Sequence, residues 1–162
     1  LIQDAIEEVR DIYMGLRPSI LDDLGVIAAI NWFCREFHNA HPDIHVQHTI
    51  DIEEVKIPDG LKIVIFRVLQ EALDNVARHS RADHVHVHLL KKIAGVEFAV
   101  EDNGIGFQLD EPGSVDHADQ GMGLSSMKER VELVGGSFAI HTGSGSGTLV
   151  QMSCTLRESS DA

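Results

Sequence analysis

The chain has 162 residues, 43% of them hydrophobic and 24% charged, with a formal net charge of −13. These are the proportions of one ordinary globular domain able to bury a core, not of a disordered segment. The acidic excess excludes a nucleic-acid binder, which needs a basic face to displace counterions, and no apolar run reaches the roughly 20 residues of a membrane span.

Residues 1–17 place Ile2, Ala5, Ile6, Val9, Ile12, Tyr13 and Leu16 at three- and four-residue steps, an amphipathic helix with a narrow seam stopped by Pro18. The seam either packs on its own domain or belongs to a dimerisation helix cut from a bundle. With Leu1 in mid-pattern and no initiating Met, the chain reads as a piece of something longer. Asp22 and Asp23 precede a second helix over 24–37, and Pro42 breaks the chain before a strand at 45–50. Pro58 and Asp59 open a long helix to about residue 79, with Asp59 as its cap. Strands follow at 84–90 and 95–101. Residues 104–122 are rich in Gly, Asp and Ser, the composition and length of a lid or a disordered segment. A helix from 123 to 134 stops at Gly135-Gly136, and strands at 137–141 and 148–156 flank a Gly/Ser turn. The tail from 158 is solvated. Helices and strands interleave, yet with two hairpins, which predicts an α+β two-layer sandwich: a mixed sheet with helices on one face. Cys34 and Cys154 show no close-spaced motif and fit a reduced compartment.

The alternating run Val96, Phe98, Val100 ends at Asp102, followed by Gly104 and Gly106. A short acceptor at a strand end, beside bare backbone, suits the exocyclic amine of a purine better than a phosphate; an ordinary turn has the same pattern. On the helix before it, Glu71 and Asn75 lie four residues apart, with Arg78 and His79 three and four further on. These spacings predict one stripe carrying a carboxylate, an amide oxygen and a cation, which suits magnesium triphosphate; a hydrated helix face is the alternative. Gly121-Met122-Gly123-Leu124 opens a helix, where backbone amides favour anions. There is no P-loop and no third glycine of the dinucleotide fingerprint. His84, His86 and His88 alternate on a strand, with His41, His45 and His48 upstream. Zinc accepts such ligands, but no cysteine or carboxylate spacing supports a closed site, and the reading is a solvent-facing strand.

In order and spacing these pieces resemble the Bergerat-type ATP-binding fold of histidine kinases, gyrase-like ATPases and mismatch-repair ATPases. Glu71 and Asn75 lie in a segment similar to the N box, Asp102-Asn103-Gly104-Ile105-Gly106 resembles the G1 box, Gly121-Met122-Gly123-Leu124 the G2 box, and Gly147-Thr148 the final Gly-Thr element. Leu16-Arg17-Pro18-Ser19-Ile20-Leu21-Asp22-Asp23-Leu24-Gly25 resembles the junction of dimerisation and catalytic domains in nitrate-sensor-like and degradative-enzyme-sensor-like histidine kinases. The resemblance implies residues 1–18 as the remnant of the second dimerisation helix, 19–157 as the catalytic domain and 158–162 as a tail. It implies ATP and Mg2+ as cofactors. Asp102 would accept from the adenine amine, with Thr148 helping through water. Asn75 would be the metal ligand, and Glu71 would hold a metal-bound water or act as a base. Arg78 would neutralise phosphate charge, His79 could touch phosphate, and Gly104, Gly106, Gly121, Gly123 and Leu124 would shape the pocket. The implied function is transfer of the γ-phosphoryl to a histidine of the dimerisation domain, then to a response regulator. The partners are that regulator and the protein's own dimerisation domain in a homodimer, with no nucleic acid and no direct membrane contact, and the location is cytoplasmic, free or attached to a membrane sensor. The acceptor histidine of that group has a His-Asp or His-Glu context, which none of the ten histidines here has. An anti-sigma-factor-type serine kinase and a nucleotide-binding module without transfer are the alternatives.

Overall fold

A computed structural model describes Ile2, residues 19–108 and residues 118–156. The helix expected at 1–17, most of the glycine-rich loop (109–117) and the tail from 158 lie outside the described residues. Among the described residues five strands form one sheet: β1 (His45–Asp51), β2 (His84–Lys92), β3 (Gly95–Asp102), β4 (Ser137–Thr142) and β5 (Thr148–Thr155). Their order is β1-β2-β3-β5-β4, with β1 parallel to β2 and every other pair antiparallel. The mixed sheet and both hairpins match the pattern in the sequence.

Alternation decides the faces. Val85, Val87 and Leu89 of β2, Val96, Phe98 and Val100 of β3, and Val150 and Met152 of β5 are buried in one core with three helices. These are α1 (Ser19–Ala40), α2 (Asp59–Asn75) and α3 (Ala118–Leu133). Phe66, Ile65, Leu69 and Leu73 of α2 are fully buried, each contributing about 1.5–3 kcal/mol. Phe66 meets Phe33 of α1 edge-on at 5.6 Å. Among the described residues no helix is long and apolar enough to cross a membrane.

Three elements depart from the sequence expectation. The second helix begins at Ser19, not 24, and is broken at Gly25, whose φ of 88° and ψ of −179° are non-helical. The carboxylate of Glu54, in a 3-10 turn (Glu54–Lys56), accepts from the amides of Val26 and Ile27, both at 2.9 Å. It caps the resumed helix from 27 and 28 residues away in sequence, and such a contact leaves no trace in local pattern. Asp59 is not a cap: Pro58 holds that position without a side-chain bond, and Asp59 pairs with Lys62 at 3.0 Å. α2 stops at Asn75, and a π-helical turn, Val76–Ser80, follows, ended by left-handed Arg81 at φ 53°.

Gly25 occupies a backbone region that is essentially glycine-only, and a Cβ there would collide with the Glu54 carboxylate. Gly25→Ala should therefore lower unfolding free energy by about 1–3 kcal/mol in urea titrations, and Glu54→Ala by about 0.5–2 kcal/mol through loss of the cap. Parent stability in Gly25→Ala would mean that the kink does not constrain the fold.

Candidate functional site

β3 carries its core-facing row one residue beyond the apolar core, so that Asp102 continues Val96, Phe98 and Val100. It is 8% exposed, set between Val85 of β2 and Thr148 of β5 in register. Its Oδ1 accepts from the Gly104 amide at 2.8 Å. Burial pushes its carboxyl above the ordinary aspartate range, the amides of Gly104 and Thr148 oppose the rise, and neighbouring Glu101 adds to it. A carboxylate buried this far with no cation among its neighbours needs hydrogen-bond donors, and a ligand amine in the adjoining pocket would add one.

The loop after Asp102 is tied on both sides. Ile105 donates its amide to the Ser80 carbonyl at 2.7 Å, and Gly145 donates to the Ile105 carbonyl at 2.6 Å. Thr142 Oγ1 accepts from the Phe107 amide at 3.0 Å and lies 3.2 Å from Thr148 Oγ1. Ser80 ends the π turn, its hydroxyl donating to Val76 O at 2.8 Å and accepting from the Ala82 amide at 3.0 Å. The helix end and the loop are thereby one unit. Asn103 does not face this loop: its Oδ1 accepts from the amides of Asp83 and His84 at 3.2 and 3.0 Å.

A cavity of about 220 Å³ opens here, lined by Asn75, His79, Asp102, Gly106, Leu124 and Thr148 among others. Asn75 Nδ2 is buried with no hydrogen-bond partner. A buried unpaired amide costs about 1–3 kcal/mol, and Asn75 is among the residues that line the cavity. The volume falls below the about 300–1,000 Å³ of a drug-sized pocket, so a flat base fits within it and a longer ligand extends beyond.

The expected single stripe on α2 is divided. Glu71 and Arg78 line a separate cavity of about 570 Å³ between α1, α2 and α3, with Phe33, Phe37 and Arg130. Asn75 is turned about 40° from Glu71 at about 100° per residue, and Arg78 and His79 lie beyond the end of α2 in the π turn, where that step no longer holds. Arg78 Nε donates to Asp74 at 2.9 Å. Burial raises the Glu71 carboxyl above its usual range, Asp74 adds to that, and Arg78 and Arg130 oppose it. The expectation that Gly121 to Leu124 opens a helix is also corrected: α3 begins at Ala118, so both glycines lie inside it. Gly123 packs on the Glu71 carboxylate, where any Cβ would collide; Gly121 faces open space. Gly104 lies against the Ser80 carbonyl beneath the pocket.

Sequence reasoning missed Ser80 and Thr142. Ser80 gives no sequence signal, because its burial and the left-handed Arg81 after it belong to the folded chain; Thr142 gives none, because Phe107 lies 35 residues away. Phe107 also lines the smaller cavity.

Residues 60–158 match the family described as histidine kinase-, DNA gyrase B-, and HSP90-like ATPase. The chain is 33% identical over 156 residues to a signal transduction histidine-protein kinase/phosphatase, DegS, of Brevibacillus brevis, covering 96% of this chain and 39% of that protein. It is 33% identical over 153 residues to the oxygen sensor histidine kinase NreB of Staphylococcus carnosus (strain TM300), covering 94% and 43%. The chain thus spans about two-fifths of the curated relatives' length. Among solved structures, the histidine kinase domain of the Erythrobacter litoralis EL346 blue-light activated histidine kinase superposes with TM-score 0.61 at 20% identity, over 81% of this chain and 61% of that one. Acinetobacter baumannii AdeS gives TM-score 0.59 at 14% identity, over 97% and 81%. These two share the fold.

An aspartate whose folded pKa is raised carries a destabilisation that is absent below its ordinary value, 3.8, and complete above the folded one. Asp102→Asn, which keeps an acceptor for Gly104, should therefore be more stable than the parent at pH 7, with the difference closing as pH falls towards 4. Denaturant titrations at the two pH values check this; a variant less stable at pH 7 would show that the carboxylate holds the fold together.

Proposed function

The chain belongs to the histidine kinase-, DNA gyrase B-, and HSP90-like ATPase family, and on that premise we propose that the pocket around Asp102 binds the adenine of ATP in the catalytic part of a two-component sensor histidine kinase. The observation that carries the reading is the convergence of a buried acceptor, Asp102, and an unpartnered buried amide, Asn75 Nδ2, on one small cavity. Asp102 Oδ accepts from the exocyclic amine, and Thr148, its neighbour across the β3–β5 ladder, supports that contact from the sheet side. Val100, Val150 and Leu124 give the base apolar surfaces.

His79 and Asn75 stand where the phosphates leave the pocket, towards Gly121 and Leu124. The donor set fits a hard metal: Asn75 has a side-chain oxygen, and few protein ligands suit an ion that takes the rest from phosphate and water. Mg2+, when bound, supplies charge neutralisation between phosphates. Glu71 and Arg78, in the larger cavity, are proposed for the transfer step, Glu71 as the base with its raised pKa and Arg78 as the phosphate cation. The γ-phosphoryl passes to a histidine of a dimerisation domain and then to a response regulator. None of the ten histidines here is followed directly by Asp or Glu, the context expected of that acceptor.

A fluorescent ATP analogue should bind the chain more tightly with magnesium than without. Asp102→Asn should weaken binding by about 1–3 kcal/mol, and Asn75→Ala should lose most of the magnesium dependence. Parent affinity in folded Asp102→Asn would refute the adenine assignment. Incubated alone with γ-labelled ATP, the chain should gain no acid-labile phosphate; label on the chain would place the acceptor within it.

A further inference from the structure

The sheet face opposite the helices carries a feature that nucleotide binding leaves unused. β1 and β2 begin side by side with His45 in register with His84, and the two rings stand 5.2 Å apart, centroid to centroid. The His45 amide donates to the Asp83 carbonyl at 2.8 Å, which locks that register at the backbone. His38 Nδ1 bonds the Ile44 carbonyl at 2.9 Å, fixing the residue before His45. The decisive contact is on His84: its Nδ1 lies 2.6 Å from Asp83 Oδ1, and the same oxygen accepts from Asn103 Nδ2 at 2.7 Å. A carboxylate on one ring nitrogen fixes the tautomer and leaves Nε2 as a lone-pair donor, the outer-shell arrangement of metal-bound histidines.

Distance discriminates between the histidine pairs. A metal–nitrogen bond of about 2.0–2.1 Å sets two imidazoles on one ion about 4.5–5.2 Å apart between centroids for cis or tetrahedral angles. His45 and His84 meet this. His86 and His88, at 3.8 Å, are too close, and His86 Nε2 is already engaged by Thr49 Oγ1 at 2.9 Å. Among the described residues no three His, Cys, Asp or Glu side chains form a ready metal site; a two-imidazole chelate needs no third, because water completes the shell. The histidine-rich strand read from sequence as a solvated face therefore holds one pair with different geometry.

We propose that His45 and His84, with Asp83 and Asn103 behind them, form a surface site for a divalent transition metal of the zinc type. It lies at the nucleotide end of the sheet on the opposite face, since Val85, next to His84, pairs with Asp102. Imidazole nitrogen suits zinc, copper and nickel and not magnesium, so the ion is distinct from the nucleotide's.

The test is titration of the chain with Zn2+ alone, nucleotide absent, against a chromophoric chelator, with imidazole NMR shifts to identify the ligands. One equivalent should bind and shift His45 and His84. His45→Ala and His84→Gln should abolish binding, Asp83→Asn should weaken it about tenfold, and His86→Ala should leave it unchanged. The rings of His45 and His84 are exposed, and thermal melts verify that the variants fold. No binding by the parent, undiminished binding in either histidine variant, parent affinity in Asp83→Asn, or equal loss in His86→Ala would overturn the site.

Discussion

Burial of one carboxylate organises the functional end of this domain. Asp102 lies on the core side of β3, 8% exposed, and none of the groups that shift its pKa is a cation. Charge in such a place is costly, and the chain tolerates it by surrounding Asp102 with backbone amides and leaving one direction open. That opening is the pocket. The loop ties to Ser80 and Thr142 follow from the same demand, because a displaced loop would withdraw the Gly104 amide and leave the carboxylate unpaired.

The second organising feature is the change of helical pitch at the end of α2. An α-helix continued through Val76–Ser80 would keep its 3.6-residue phase; the π turn widens it and lets Ser80 bond both its own helix and the loop after Asp102. π turns are rare and frequent at functional sites, and here the turn joins Asn75 and His79, on the pocket, to the strand that follows. α2 thereby has two polar sides serving different cavities. Glu71, Asp74 and Arg78 face α1 and α3, while Asn75 and His79 face the sheet end. Gly123 brings α3 close enough to bear on Glu71, so the position of α3 is coupled to the carboxylate proposed as a base. At the other end of the domain, Glu54 couples the kink at Gly25 to the body of the fold, so the direction of the first turns of α1 is set by a tertiary contact.

What the sequence determined was whatever period and punctuation encode. Alternation placed five strands within one or two residues, because a half-buried strand must repeat every second residue. The end of that alternation identified Asp102, and the motifs pointed to the family that residues 60–158 match. What tertiary structure decided was whatever depends on phase or on contacts across long separations. Four residues counted onto one stripe fall into two cavities, because the α-helical step ends at Asn75 and the π turn changes the phase at which Arg78 and His79 follow. The Gly25 break at Glu54 and the anchoring roles of Ser80 and Thr142 each depend on a partner from another part of the chain. The histidine strands make the same distinction: sequence gave ten imidazoles without rank, and only the parallel register of β1 against β2 sets His45 beside His84, with Asp83 behind it. Local pattern reports which face a residue occupies; only packing reports what stands opposite.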